Sequence, residues 1–209
     1  HFKSGIVTID GKPIKNMHSK DFWKIVSYVP QAKSVQSGFS ALDMVVLGMA
    51  PHLGAFAQPK QEHLDKAAQT LDELGVLYLK DKACNAMSGG ELQMILMARA
   101  IITSPSILVL DEPESNLDFK NQLTILNAIK DLAAHKNMSC LINTHYPDHA
   151  NRIADKVVLI HKKEKKAFFG STEEMITIDN LKKIFDVDVC MKTFEEQGKI
   201  LKTIIPFEK

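Results

Sequence analysis

The run Ile107-Leu108-Val109-Leu110, with Pro105 before it and Asp111-Glu112-Pro113 after it, constrains this chain more than any other stretch. Four consecutive apolar residues closed by acids fit a short strand buried on both faces. Such strands belong to parallel sheets covered by helices, and open α/β sheets bind ligands at the carboxyl ends of their strands. Asp111 and Glu112 therefore stand at a candidate ligand crevice. Burying two carboxylates there is costly unless a cation accompanies them, and a Mg²⁺ carrying a nucleotide phosphate supplies one. In that chemistry the first acid holds the metal or its water, and the second polarises an attacking water. By itself the pattern also fits a purely structural strand end, so the rest of the chain has to decide.

Flanking segments repeat the alternation of strand and helix. Glu91 to Thr103 reads as a helix stopped by Pro105, and Phe119 to His135 as another. A strand follows from Met138 to Asn143, then a polar loop carrying His145. A helix near Pro147 to Ala154 precedes strands at Lys156 to Ile160 and Ala167 to Phe169, separated by the charged turn Lys162-Lys163-Glu164-Lys165-Lys166, which reads as a solvated hairpin turn. This order predicts right-handed crossovers and a mainly parallel sheet flanked by helices, an α/β fold. Upstream, Ser4 to Asp10 alternates as a strand turned by Gly11-Lys12-Pro13. Ile25 to Val29 reads as a second strand closed by Pro30, which leaves Gln31 just past its end.

Between about Ser40 and Lys80 the pattern changes. Ser40-x-x-Asp43 opens a helix with Leu42, Val45, Val46 and Met49 at helical spacing. After a polar break from Pro51 to Pro59, Leu64, Ala67, Ala68, Leu71 and Leu74 form an apolar stripe ending at Gly75. These read as a helical insertion. Met44 and Met49 fit either its core or a surface meeting a membrane partner; Trp23 and the other methionines read as packing. The end of the chain is expected to add a helix around Asp179 to Phe185 and a hairpin turning near Gln197-Gly198.

Composition excludes several function classes. Lys and Arg total 26 and Asp and Glu 25, so no strong field favours nucleic acid or an anionic membrane. A polyanion would be held by local geometry alone. No apolar run reaches the ~18 residues a membrane span needs. Cys84, Cys140 and Cys190 stand far apart without a CxxC pair, which argues against a zinc site or a disulfide framework and fits reduced thiols.

A second anion site is written into Ser88-Gly89-Gly90. Preceding a helix, it brings backbone N–H groups, a hydroxyl and the positive helix end to one spot. A turn with Ser88 as a simple N-cap is the alternative. His145, just past a strand end, is placed either to donate to a phosphate in the same crevice or to be a solvated loop residue.

Taken together, Tyr28-Val29-Pro30-Gln31, Met87-Ser88-Gly89-Gly90-Glu91, Ile107 to Pro113, Ser115-Asn116-Leu117-Asp118 and His145 resemble, in order and separation, the ATP-binding cassette (ABC) ATPase family. The resemblance covers essentially the whole chain. It implies a P-loop NTPase-like (RecA-like) fold in one domain, with residues 1–36 and 104–209 as the core and 37–103 as an ABC-type helical subdomain ending in the signature motif and its helix. It makes Glu112 the catalytic carboxylate, His145 the switch histidine and Asp111 the Walker B aspartate holding Mg²⁺ together with Gln31, the Q-loop glutamine. Gln31, the signature residues Ser88, Gly89, Gly90 and Glu91, and the D-loop Asp118 become the ATP-binding set. In that family a head-to-tail dimer, of two copies or with another ABC ATPase, closes over two ATP molecules. The dimer drives transmembrane permease subunits from the cytoplasmic face of the membrane, and a substrate-binding protein is engaged only indirectly.

Finer likenesses point to one branch. Leu47-Gly48-Met49-Ala50-Pro51-His52-Leu53-Gly54, Asn121-Gln122 and His145-Tyr146-Pro147-Asp148-His149-Ala150 look like the branch serving iron–siderophore, haem and cobalamin importers. There are departures. Met87 replaces the usual Leu, Leu92 stands where a basic residue is common, and Glu114 replaces the usual Thr, adding negative charge beside the site. The phosphate-cradling GxxxxGK[ST] does not occur, since Gly11-Lys12 runs into Pro13 and Gly198-Lys199 into Ile200. The expectation is that this sequence begins downstream of that loop and is inactive alone. Two alternatives stand beside it: a non-hydrolytic subunit that donates its signature in trans, and an ABC ATPase serving something other than transport.

Overall fold

The computed structural model of the chain describes residues 4–31, 38–53, 58–136 and 138–207. They fall into two compact units, His1–Asn143 and Thr144–Lys209.

The first unit opens with a small antiparallel hairpin of β1 (Thr8–Ile9) and β2 (Lys12–Pro13). Its turn is Asp10-Gly11, with φ of 49° and 75°. Two left-handed residues in succession suit a two-residue hairpin because their twist matches that of the strands. The strand expected from Ser4 to Asp10 is thus cut to two residues, with Ile6 and Val7 exposed. α1 (Ser19–Ile25) was not expected from the sequence; it takes Ile25 from the predicted strand, which becomes β3 (Val26–Val29). Trp23 stands edge-on to Phe22, ring centroids 5.0 Å apart, and is half-exposed rather than packed inside.

Helices form in the stretch read as an insertion, the first ending at Val46 with Met49 in a 3-10 turn beyond it. α2 (Ala41–Val46) starts at a capping box in which Ser40 Oγ accepts from the Asp43 backbone N–H at 3.1 Å. α3 (Gln61–Glu73) ends at Gly75, φ 70°, where Gly75 N–H donates to the Asp72 carbonyl and Val76 N–H to the Leu71 carbonyl. Those two bonds are the left-handed glycine stop that closes many helices. α4 (Gly89–Ile101) begins two residues before the predicted Glu91, because the Ser88 cap draws both glycines into its first turn. Ala41, Val45, Ala67, Leu71, Ile95, Met97 and Ala98 are fully buried among these helices. Met44 is buried with them, its Sδ 3.7 Å from Arg99 Nη1, so it belongs to the core.

β4 (Ile107–Asp111), α5 (Phe119–His135) and β5 (Ser139–Asn143) complete the unit. β3, β4 and β5 form a parallel sheet in that order, with Val29 opposite Leu110 and Asp111 opposite Asn143. Leu108 and Leu110 are fully buried while Ile107 and Val109 are only part-buried, so one face of β4 is the better covered. α5 presents Ile125, Leu126, Ile129 and Leu132 as its buried stripe, the spacing one helix face requires.

The second unit contains α6 (Pro147–Ile153), β6 (Lys156–His161), β7 (Lys166–Ser171), α7 (Thr172–Met175), α8 (Ile178–Phe185), β8 (Asp188–Glu196) and β9 (Lys199–Phe207). β6 and β7 pair antiparallel, as a four-residue charged turn dictates. β8 and β9 form the expected hairpin, turning at Gln197-Gly198, φ 51° and 72°. Val157, Leu159, Ile176, Leu181, Val189 and Ile204 make its core.

Candidate functional site

β4 delivers Asp111 to its carboxyl end, and the parallel register sets Asn143 of β5 beside it. Asn143 Nδ2 donates to Asp111 Oδ1 at 2.8 Å, and the Tyr28 hydroxyl donates to Asp111 Oδ2 at 3.1 Å. Partial burial, then the bond to Asp111 and its charge, push the Tyr28 hydroxyl above its ordinary pKa, which keeps it a donor.

Glu112 follows with φ 46°, a left-handed conformation uncommon outside glycine. The Glu112 backbone N–H donates to the Asn143 carbonyl at 2.9 Å, and Ser115 N–H to the Glu112 carbonyl at 3.1 Å. These bonds hold the strained turn, a common arrangement where function depends on side-chain aim. Glu112 Oε2 accepts from Ser115 Oγ at 2.9 Å and, more weakly, from Gln31 Nε2 at 3.4 Å. Gln31, Asp111 and Glu112, chosen from sequence, are thus brought together. Glu114 beside them is buried.

Ser88 caps α4 with a reciprocal box: Glu91 N–H donates to Ser88 Oγ at 3.3 Å, and Ser88 N–H to Glu91 Oε2 at 2.7 Å. The Lys82 ammonium grips both oxygens of Glu91 at 2.9 and 2.8 Å. Lys82 first, then the Ser88 backbone N–H, hold the Glu91 carboxyl below its ordinary pKa. The N-cap reading and the anion-site reading of Ser88-Gly89-Gly90 are therefore compatible. Ser88 and Gly89 lie exposed at a helix N-terminus, while Gly90 is buried. Asp118 caps α5, accepting from the Asn121 backbone N–H at 2.8 Å.

His145 lies in the second unit, two residues along the chain from Asn143. The neighbouring Tyr146 N–H donates to Thr144 Oγ1 at 3.0 Å. Tyr28, Ser115, Asn143, Lys82 and Asn121 were not singled out for a role from sequence. Ser115 left a local signal, a hydroxyl three residues after Glu112 across a proline, and Tyr28 and Asn121 stood within the motifs that carry the resemblance.

The donor set fits a Mg²⁺. Asp111 offers hard oxygens with lone pairs beyond those engaged by Asn143 and Tyr28, and Gln31, donating through Nε2, keeps its amide oxygen for a cation. Among the described residues no group of three or more His, Cys, Asp or Glu could hold a metal alone. Mg²⁺ is usually held by one or two carboxylates together with phosphate oxygens and water, as this sparse set requires. A separate cavity of about 380 Å³ between α3, α4 and α5 contains none of these residues. Among the described residues no helix is long and apolar enough to cross a membrane.

The chain is similar to several known proteins. The ABC transporter family model matches residues 1–115. A Helicobacter pylori protein named "Probable iron chelatin transport ATP-binding protein" is 40% identical over 164 residues, covering 78% of this chain and 64% of its own length. The Haemophilus influenzae "Molybdate import ATP-binding protein MolC" is 36% identical over 179 residues, covering 86% and 68%. The chain thus spans just under two thirds of the Helicobacter relative. In solved structures, an inward-facing transporter described as of metal-chelate type aligns with TM-score 0.84 and 34% identity, over 88% of this chain and 72% of that one. The parallel sheet with flanking helices is accordingly the α/β P-loop NTPase-like fold of ABC cassettes. On its sequence match, its fold and its strand-end carboxylates, the chain belongs to the ABC transporter family, in the ATP-binding part of it.

Proposed function

We propose that this chain is the ATP-hydrolysing part of an ABC importer subunit for an iron chelate or related metal chelate. The observation that carries this reading is the Glu112 carboxylate, held by Ser115 and Gln31 next to Asp111 at the end of β4. Glu112 acts as the base that takes a proton from the attacking water. Asp111, with Gln31, holds Mg²⁺, which when bound neutralises charge on the phosphates. Gln31 also links the site to residues 37–103, the helical subdomain that meets the permease; residues 1–36 and 104–209 form the core. His145 donates to the transferring phosphoryl. Ser88, Gly89, Gly90, Glu91 and Asp118 serve the nucleotide of the facing subunit in a head-to-tail dimer, with a second copy or another ABC ATPase.

The unit works on the cytoplasmic face of the membrane, engages a substrate-binding protein only through the permease, and binds no nucleic acid. The name of the Helicobacter relative, which specifies iron chelatin, supports the substrate class, whereas the Haemophilus relative is named for molybdate, a metal oxyanion. Without a GxxxxGK[ST] in its sequence, the 209-residue chain alone does not hydrolyse ATP.

The test is uptake. The full-length ATPase reconstituted with its permease in vesicles is expected to drive ATP-dependent accumulation of an iron(III)-hydroxamate chelate. ATP hydrolysis that no metal chelate stimulates, with no accumulation, would overturn the importer assignment.

A further inference from the structure

Gly90 is buried in the first turn of α4, and a Cβ on it would lie 2.5 Å from Asn121 Cγ, 2.7 Å from Nδ2 and 2.9 Å from Oδ1. Real side chains do not approach so closely, so the Asn121 amide fills the space an alanine would need. That amide also donates through Nδ2 to Asp118 Oδ2 at 3.1 Å, while Asp118 Oδ1 accepts from the Asn121 backbone N–H at 2.8 Å. Leu117 Cδ2 is 3.5 Å from the Cβ position of Gly89, an ordinary contact that adds a second point of packing.

We infer that Asn121 is a positioning residue that locks the loop ending at Asp118 to the start of α4, and that position 90 is glycine because Asn121 occupies its Cβ site. The glycine is demanded from inside the subunit. Two parts of the chain, 28 residues apart between Gly90 and Asp118, then move as one body, so a ligand that orders Ser88 orders Asp118 with it. The role in catalysis rests on the nucleotide-binding reading of Ser88 and Asp118; the packing does not.

A stability cycle tests the packing on the chain itself, comparing the parent, Gly90→Ala, Asn121→Ala and the double variant. Gly90→Ala is expected to lower Tm by about 5 °C in the parent. In the Asn121→Ala background it should leave Tm unchanged or raise it, because the clash is gone and alanine favours helix. Equal losses in both backgrounds would overturn the inference.

The positioning role is read in the full-length ATPase with Asn121→Asp, which keeps the shape but turns a donor into a carboxylate facing Asp118. Its kcat is expected to fall about tenfold with KM for ATP within twofold and Tm within about 2 °C, and Asn121→Gln, which keeps the donor, should recover part of the loss. An unchanged kcat in Asn121→Asp would refute the role. Failure of the parent itself to hydrolyse ATP would count against the proposed function, with the stability cycle still deciding the packing.

Discussion

Replacing Gly48 by alanine offers a sharp test of the packing of the helical insertion. Gly48 sits in the 3-10 turn Leu47–Met49 that follows α2, against α4. A Cβ built there lies 2.0 Å from the Arg99 carbonyl oxygen, 3.0 Å from its carbonyl carbon and 2.8 Å from Ile102 Cγ2. A side-chain tip could swing aside, but the oxygen belongs to the backbone of α4 and is held by the helix. Relief to an ordinary contact distance requires the turn and α4 to part by more than about 1 Å, in an interior packed at crystal-like density. Overpacking of this kind costs about 3 kcal/mol, at the upper end of its usual range because the opposing atom is main chain. Alanine's better helix propensity returns about 1 kcal/mol, leaving a net loss of about 2 kcal/mol. With a urea dependence of about 2 kcal/mol per molar, the unfolding midpoint followed by far-ultraviolet circular dichroism should fall by about 1 M. Two controls should lose less. Gly89→Ala meets only an ordinary contact at 3.5 Å and should be near neutral, and Gly75→Ala, at φ 70° in open space, should lose about 1 kcal/mol through backbone strain alone. A Gly48→Ala protein as stable as the parent would refute the close approach of this turn to α4.

Leu71→Ala, at a fully buried position in α3, should cost about 3 kcal/mol in the same titration; a change under about 1 kcal/mol would mean the insertion is not packed as described. Glu91 has a lowered carboxyl pKa, so its contribution is present above the ordinary carboxylate range and lost as pH falls through the lowered value; Lys82→Met should raise the Glu91 pKa in a carbon NMR titration and weaken that acid dependence, and an unmoved pKa would discount the Lys82 pair. Burial pushes the Cys140 thiol up to about 11 from an ordinary 9.0, so at pH 8 it should react with iodoacetamide about 100-fold more slowly than in the urea-unfolded chain; equal rates would contradict its burial.

What could be read from sequence was what is local. The capping boxes at Ser40 and Ser88 need only four residues each, and the glycine stop at Gly75 needs one residue able to take positive φ, so all three are written in short windows. β4 was legible as an apolar run ending in acids, and Gln31 as the residue past a strand-ending proline. α1 was missed because Ile25 and Val26 read as one apolar run, although the helix ends between them. The Ser4 to Asp10 alternation overstated a strand whose hairpin is set by Asp10-Gly11. The contacts that shape the site span the chain: Tyr28 reaches Asp111 across 83 positions and Gln31 reaches Glu112 across 81. Pairings of that kind are created when strands take their places in a sheet, and no local pattern announces them. The left-handed turn at Glu112 is similar, since its two backbone bonds depend on Asn143 of a neighbouring strand as well as on Ser115.

The role proposed for Glu112, the base of an ATP-hydrolysing site, is tested most directly by Glu112→Gln in the full-length protein. The amide keeps the size of the side chain but cannot take up a proton from the attacking water. That role predicts that hydrolysis falls at least about 100-fold while ATP still binds, so that a dimer accumulates with ATP and is seen by light scattering. Hydrolysis by Glu112→Gln at the parent's rate would contradict it.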